Sequence, residues 1–171
     1  MKKVTVFVGS AHKRHTYKAT AQFLTNLEAL GDVETEIVTL SDYNLKYCRG
    51  CRLCFDRGET FCPLKDDRDI LFAKIDASDG VVFATPNYCF QMSGIMKVFL
   101  DRFGFAFHRP RYFGKAFTSI VTQGFGGGDK ILKDLDFAAN IIGFNTVKGT
   151  SVTGFEPLSP KEREKADRNL A

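Results

Sequence analysis

Val4-Thr5-Val6-Phe7-Val8 runs straight into Gly9-Ser10-Ala11-His12-Lys13-Arg14-His15-Thr16. The first five residues, β-branched and aromatic, read as a strand covered on both faces. Gly9 allows an abrupt exit from it. Residues 16–30 then place Ala19, Phe23, Leu27 and Leu30 at helical spacing, and Gly31 closes the segment. The same alternation repeats outward from this unit. Residues 33–40 alternate like a strand exposed on one face; residues 80–85 are almost wholly apolar and stop at Pro86. Residues 116–122 end in a glycine-rich loop, and residues 144–152 make a weaker fifth run. Helical stretches fill the gaps at 68–77, 93–105 and 130–142. Ser159-Pro160 then caps a short last helix over 161–170, whose cover of the sheet is expected to be incomplete. Strand and helix alternating in this way predict an α/β three-layer sandwich with a five-stranded parallel sheet. Right-handed crossovers favour the strand order 2-1-3-4-5.

At 171 residues the chain is read as one domain, 1–171, long enough to bury roughly 70% of its unfolded surface without staples. Hydrophobic residues at 44% and charged residues at 26% separate it from disordered chains. The net charge of +4 is small and scattered, which argues against a nucleic-acid surface. No apolar run reaches the roughly 20 residues that span a bilayer. Met1-Lys2-Lys3 and the apolar run after it superficially resemble a signal peptide, but the run is too short. The expectation is a cytoplasmic protein with no membrane partner.

Parallel sheets bind ligands beyond the carboxyl ends of their strands, near the point where strand order reverses. That rule singles out three loops. The first, residues 9–16, combines hydroxyls (Ser10, Thr16), cations (Lys13, Arg14) and a helix amino terminus, which suits a phosphate. A polar turn that only caps the helix has the same composition. Neither the Walker spacing nor Gly-x-Gly-x-x-Gly is present. In the second loop, Pro86 fixes the backbone beside Asn87 and Tyr88, offering a wall for a flat heteroaromatic ligand, although Tyr88 equally suits a half-buried core ring. The third has four glycines within residues 124–129, which allow either close backbone approach to a ligand or a flexible lid.

Taken together, Gly9-Ser10…Thr16, Cys48-x2-Cys51-x2-Cys54…Cys62…Asp66-Asp67, Thr85-Pro86-x-Tyr88…Ser93-Gly94…Lys97…Asp101-Arg102 resembles the NAD(P)H-dependent FMN reductase family of flavodoxin-like proteins. The resemblance implies FMN held non-covalently and reduced by NADH or NADPH. The acceptor would be a small molecule such as a quinone or a free flavin. It places the phosphate on Ser10, Lys13 or Arg14, and Thr16; His12, by its position in the same loop, is a further candidate contact. It places the ring against Pro86, Asn87, Tyr88 and Cys89 on one side, and Thr122, Gln123, Gly124 and Gly127 on the other. Lys97, Asp101 and Arg102 would shape a helix and a subunit contact. Where family members often carry Gly-Asn before the threonine, this chain has Arg14-His15, which leaves the exact phosphate donors open. A homodimer or higher homo-oligomer is the implied assembly.

Cys48, Cys51, Cys54 and Cys62 follow C-x2-C-x2-C-x7-C. Thiolates two residues apart suit a 4Fe-4S cubane, and Gly58 lets the longer arm return. The pattern resembles the iron–sulfur flavoprotein branch of the same family. Free or redox-active thiols beside the flavin are the alternative, and zinc, which prefers separated pairs, is a third. Cys89 is expected to be a small buried side chain.

No side chain is assigned catalysis, since the flavin carries the chemistry. Phenylalanines 99, 103, 105, 107 and 113 fit either core packing or a dimer face. Two rivals fail on the sequence: a phospho-receiver needs acidic residues where Val8-Gly9 and Ala84-Thr85 stand, and a hydrolase needs a Gly-x-Ser-x-Gly elbow.

Overall fold

The computed structural model describes residues 1–154 and 157–171. Its strands are β1 (Lys2–Val8), β2 (Val33–Thr39), β3 (Gly80–Tyr88), β4 (Gln91–Met92), β5 (Ala116–Gln123), β6 (Asn145–Thr146) and β7 (Thr150–Thr153). The helices are α1 (His15–Ala29), α2 (Leu53–Asp56), α3 (Arg68–Asp76), α4 (Gly94–Asp101), α5 (Gly104–His108), α6 (Gly128–Ile141) and α7 (Pro160–Leu170). The parallel sheet runs β2-β1-β3-β5, with β6 and β7 both pairing with β5 in the fifth place. The expected order 2-1-3-4-5 therefore holds.

Alternation along each strand divides the core. Phe7, Val81, Phe83 and Phe117 point to the face covered by α3, α4 and α6. Val6, Val8, Val82 and Ala84 point to the face covered by α1 and α7. With both faces buried, the central strands are mostly apolar, with small hydroxyls such as Thr5 and Ser119 among their few polar residues, which is why they were visible in the sequence. The short α7 covers its share of the sheet: Ser159 and Glu162 form a reciprocal capping box, and Ala166 and Leu170 are buried.

Three details depart from the sequence reading. The fifth strand is split, because Phe117 faces Thr146 while Ile120 faces Thr150, leaving one extra residue on the edge. This is a bulge, and it re-aims the edge strand. Gly149 sits in it so tightly that a Cβ would lie 2.5 Å from Ser119 Oγ. The helix expected over 93–105 breaks after Asp101, where Arg102 turns inward, and restarts at Gly104 against Phe55. The added strand β4 is the return arm of a hairpin from β3.

Gly9 is where the fold meets the site. A Cβ there would stand 2.7 Å from Met96 Cβ and 3.1 Å from Ser93 Oγ. Gly9→Ala is expected to push α4 off β1, with a loss of about 1–3 kcal/mol of stability in urea denaturation.

Candidate functional site: the cleft at the strand ends and the cysteine pocket

β1 and β3 end side by side, with the Gly9 N–H donating to Ala84 O at 2.8 Å. Ser93 joins their exits. Its hydroxyl donates to Gly9 O and accepts from Met96 N–H at 3.2 Å, capping α4, while its own N–H donates to Thr85 Oγ1 at 3.0 Å. These buried bonds hold open a cleft of about 530 Å³, lined by Ala11, His12, Ser41, Tyr43, Tyr47 and Tyr88 among others.

In the first loop Ser10 is buried, and its hydroxyl donates to His12 O at 3.0 Å. His12, Lys13 and Arg14 are exposed around the start of α1. Among the described residues that helix has no side-chain cap, and its own first turn carries no acidic residue. Lys13 Nζ lies 5.6 Å from the centre of the Tyr17 ring. Thr16 turns away from these cations and shares a 2.7 Å hydroxyl–hydroxyl bond with Thr122, tying the first loop to the third.

Pro86 is buried at the end of β3, opposite Thr122. Asn87 Nδ2 donates to Gly126 O at 2.9 Å and to Gln123 Oε1 at 3.2 Å. The same Gln123 oxygen accepts the Gly128 N–H at 2.8 Å, and Gln123 Nε2 donates to Thr153 Oγ1 at 3.0 Å. Gln123 is thus the brace of the glycine loop that contains Gly124 and Gly127. Asn87 Oδ1, by contrast, is buried with no partner among the described residues. A buried acceptor left open costs about 1–3 kcal/mol unless something donates to it.

The β3–β4 hairpin turns on Cys89 and Phe90, at φ +52° and +62°. Two successive left-handed residues make the tight mirror-image turn that asparagine and glycine favour. Cys89 is exposed at its tip, contrary to the buried side chain expected. A two-residue hairpin leaves its central side chains no core to enter. Phe90 extends over Gly127, where a Cβ would lie 2.9 Å from its ring. Replacing the pair by asparagine and glycine (C89N/F90G) is expected to stabilise the fold by about 1 kcal/mol through relief of backbone strain. The same change should speed hydrogen exchange in residues 124–128, because the ring covering Gly127 is gone. Thermal denaturation and exchange mass spectrometry check the two halves.

Tyr43 and Tyr47 are cleft residues that the sequence reading missed. They follow β2, whose end lies beside that of β1, whereas the strand-reversal rule pointed to the other loops. Two tyrosines four apart just after a strand were the available signal.

The four clustered cysteines line one pocket of about 80 Å³ together with Arg49, Arg52, Arg68 and Arg102. Burial pushes the Cys54 thiol up, and repulsion from Cys48, Cys62 and Cys51 adds to this. Among the described residues no three His, Cys, Asp or Glu side chains converge tightly enough to share a single ion. Lys97 and Asp101 form an exposed ion pair one helical turn apart. Arg102 turns inward: its side chain is 2% exposed and pairs with Asp66, itself 1% exposed. Burial acts to raise the Asp66 pKa, but the Arg102 guanidinium and the N–H groups of Lys46 and Arg68 outweigh it and hold the carboxyl below its usual range.

A parallel sheet of this order with its cleft at the strand ends defines a flavodoxin-like α/β protein. The chain belongs to the NADPH-dependent FMN reductase family, which matches residues 2–156. Among curated proteins it is 33% identical over 127 residues to an iron-sulfur flavoprotein of Archaeoglobus fulgidus, covering 74% of this chain and 61% of that one. It is 30% identical over 178 residues to an iron-sulfur flavoprotein of Clostridioides difficile, covering 96% and 75%. The chain thus spans under two thirds of the Archaeoglobus protein. The fold matches an azoreductase from Bacillus anthracis with a TM-score of 0.75 at 15% identity, covering 99% and 95% of the two chains. It matches an NAD(P)H:quinone oxidoreductase from Methanothermobacter marburgensis with a TM-score of 0.74 at 16% identity, covering 99% and 93%.

Proposed function

We propose that this chain is an FMN-dependent oxidoreductase that uses NADH or NADPH to reduce a small acceptor such as a quinone or a free flavin. One observation carries the reading: the cleft lined by Ala11, His12, Tyr43, Tyr47 and Tyr88 adjoins the cation-ringed start of α1, which has no side-chain cap among the described residues, and Asn87, next in the chain to Tyr88, holds a buried amide oxygen with no partner among those residues. A phosphate fits the first, and a ring N–H fits the second. FMN, when bound, supplies the hydride-accepting chemistry. The protein's part is to bind, orient and exclude water. Lys13, Arg14 and the N–H groups opening α1 meet the phosphate. Asn87 meets the ring edge, and Tyr43, Tyr47 and Tyr88 wall the cleft.

A visible titration tests this. Added FMN should bind at concentrations below about 10 µM, with its fluorescence quenched, and NADH or NADPH should bleach it. Indifference to FMN at tens of micromolar, about −6 kcal/mol or weaker, overturns the reading. Lys13→Ala/Arg14→Ala is expected to weaken FMN by about 10- to 100-fold while leaving riboflavin, which lacks the phosphate, unchanged.

A second reading adds a 4Fe-4S cluster on Cys48, Cys51, Cys54 and Cys62, making the protein an electron carrier. The observation favouring it is that all four line one pocket. A single tetrahedral ion with Zn–S bonds of about 2.3 Å needs sulfurs within about 4 Å of one another. A cluster instead gives each cysteine its own iron, so the looser grouping suits it better. Anaerobic reconstitution with iron and sulfide should yield about four irons per chain. We extend the proposal to a cytoplasmic homodimer, supported by the free cysteines and by the exposed Phe113 and Phe125. Sedimentation equilibrium tests the dimer.

A further inference from the structure

Between Lys46 and Asp66 the chain leaves the sheet on an excursion that carries all four clustered cysteines. Its only helices are the single turns of α2 and a 3-10 turn at Glu59–Phe61, so little in its own backbone holds it in shape. Its two ends meet at one side chain. Arg102 Nη1 donates to Lys46 O at 2.9 Å and to Asp66 Oδ2, while Nη2 donates to Asp66 Oδ1 at 3.3 Å. Asp66 Oδ2 in turn accepts the Lys46 N–H at 2.9 Å. Neighbouring residues repeat the clasp, with Asn44 N–H donating to the Asp67 side-chain Oδ2 at 2.7 Å and Asp67 N–H to Asn44 O at 3.1 Å. Arg102 Nη2 also lies 3.7 Å from Cys62 Sγ and donates to it. The guanidinium comes from the carboxyl end of α4, whose Phe99 is locked in the core.

We propose that Arg102 is the positioning residue of the cysteine pocket: it closes the stem of the cysteine loop and presents an N–H to the Cys62 sulfur. The planar fork is needed, because one side chain must serve a carboxylate, a carbonyl and a sulfur at once. In its metal-related half the proposal rests on the cluster reading. A hydrogen bond to a ligating sulfur stabilises the reduced, more negative state, so Arg102 raises the cluster's reduction potential.

The test uses the full chain. In metal-free protein, Arg102→Met should speed hydrogen exchange in residues 46–66 by about two to three orders of magnitude, as expected when one member of a buried ion pair is removed. Exchange in β1 and β3 should stay slow. Arg102→Lys keeps the charge toward Asp66 but not the fork, and should give a smaller increase in the same segment. If the methionine variant does not fold, the lysine variant decides. Unchanged exchange in 46–66 overturns the positioning role. After anaerobic reconstitution, the wild type should show a higher midpoint potential than Arg102→Lys in a redox titration followed by electron paramagnetic resonance. Equal midpoints overturn the tuning. If the wild type takes up no iron yet the exchange difference persists, the cluster reading fails and the clasp stands.

Discussion

Phe99→Ala is expected to cost about 3–5 kcal/mol of unfolding free energy, measured by urea denaturation. The ring is fully buried and touches aromatic neighbours from several elements. It stacks on Phe7 of β1 at 5.1 Å, meets Phe83 of β3 at 5.5 Å, and stands edge-on to Phe103 at 5.1 Å. Such pairs add about 0.5–1.5 kcal/mol beyond area burial. Truncation leaves a void among rings that cannot readily collapse, since the backbones around it belong to a sheet. The effect should reach the cleft as well. Phe99 holds the middle of α4, and Ser93 at the head of that helix joins the exits of β1 and β3. Weaker FMN binding is therefore expected together with the stability loss. A variant that unfolds earlier but binds FMN as tightly as the wild type would show that the cap alone positions the loops.

Asp66→Asn is expected to destabilise the protein by about 3–5 kcal/mol at neutral pH, because Arg102 is then buried without its counter-charge. The pH dependence separates this from a simple packing defect. In the folded wild type the Asp66 pKa lies below its unfolded value of about 3.9. Its contribution is therefore complete above pH ~4 and is lost as pH falls through the lower, folded value. Glu36, held down by Lys74 and Lys3 against the burial that would raise it, acts in the same direction. The deficit of Asp66→Asn relative to wild type should accordingly narrow on acidification below pH ~4. A deficit constant from pH 7 to pH 3 would mean that the ion pair stores none of the acid sensitivity.

Legibility in the sequence followed burial. The strands at the centre of the sheet announced themselves because both faces are covered, so Val4 to Val8 carry no polar interruption except Thr5, whose hydroxyl is satisfied by Ser78 at 2.7 Å. The fifth strand was indistinct because it lies at the edge and contains a bulge that disrupts its period. Site loops were legible by composition, yet composition did not say which hydroxyl faces outward. Thr16 and Thr122 had the same credentials as ligands, and the fold spends them on each other. Gln123, likewise, is occupied in bracing its own loop, while Asn87 keeps one oxygen without a partner among the described residues.

The order of apolar runs, the glycine at the end of the first strand and the cysteine spacing were determined by the sequence alone, because each is a local property of a few neighbouring residues. Tertiary structure decided what Arg102 is for. Its partners at Lys46, Cys62 and Asp66 are far away along the chain, and no periodicity links residues that meet only when α4 has docked on the sheet. The contribution of Tyr43 and Tyr47 to the cleft was decided in the same way, since it depends on β2 lying beside β1. Side-chain chemistry is written locally, but the neighbours that put it to use are chosen by packing.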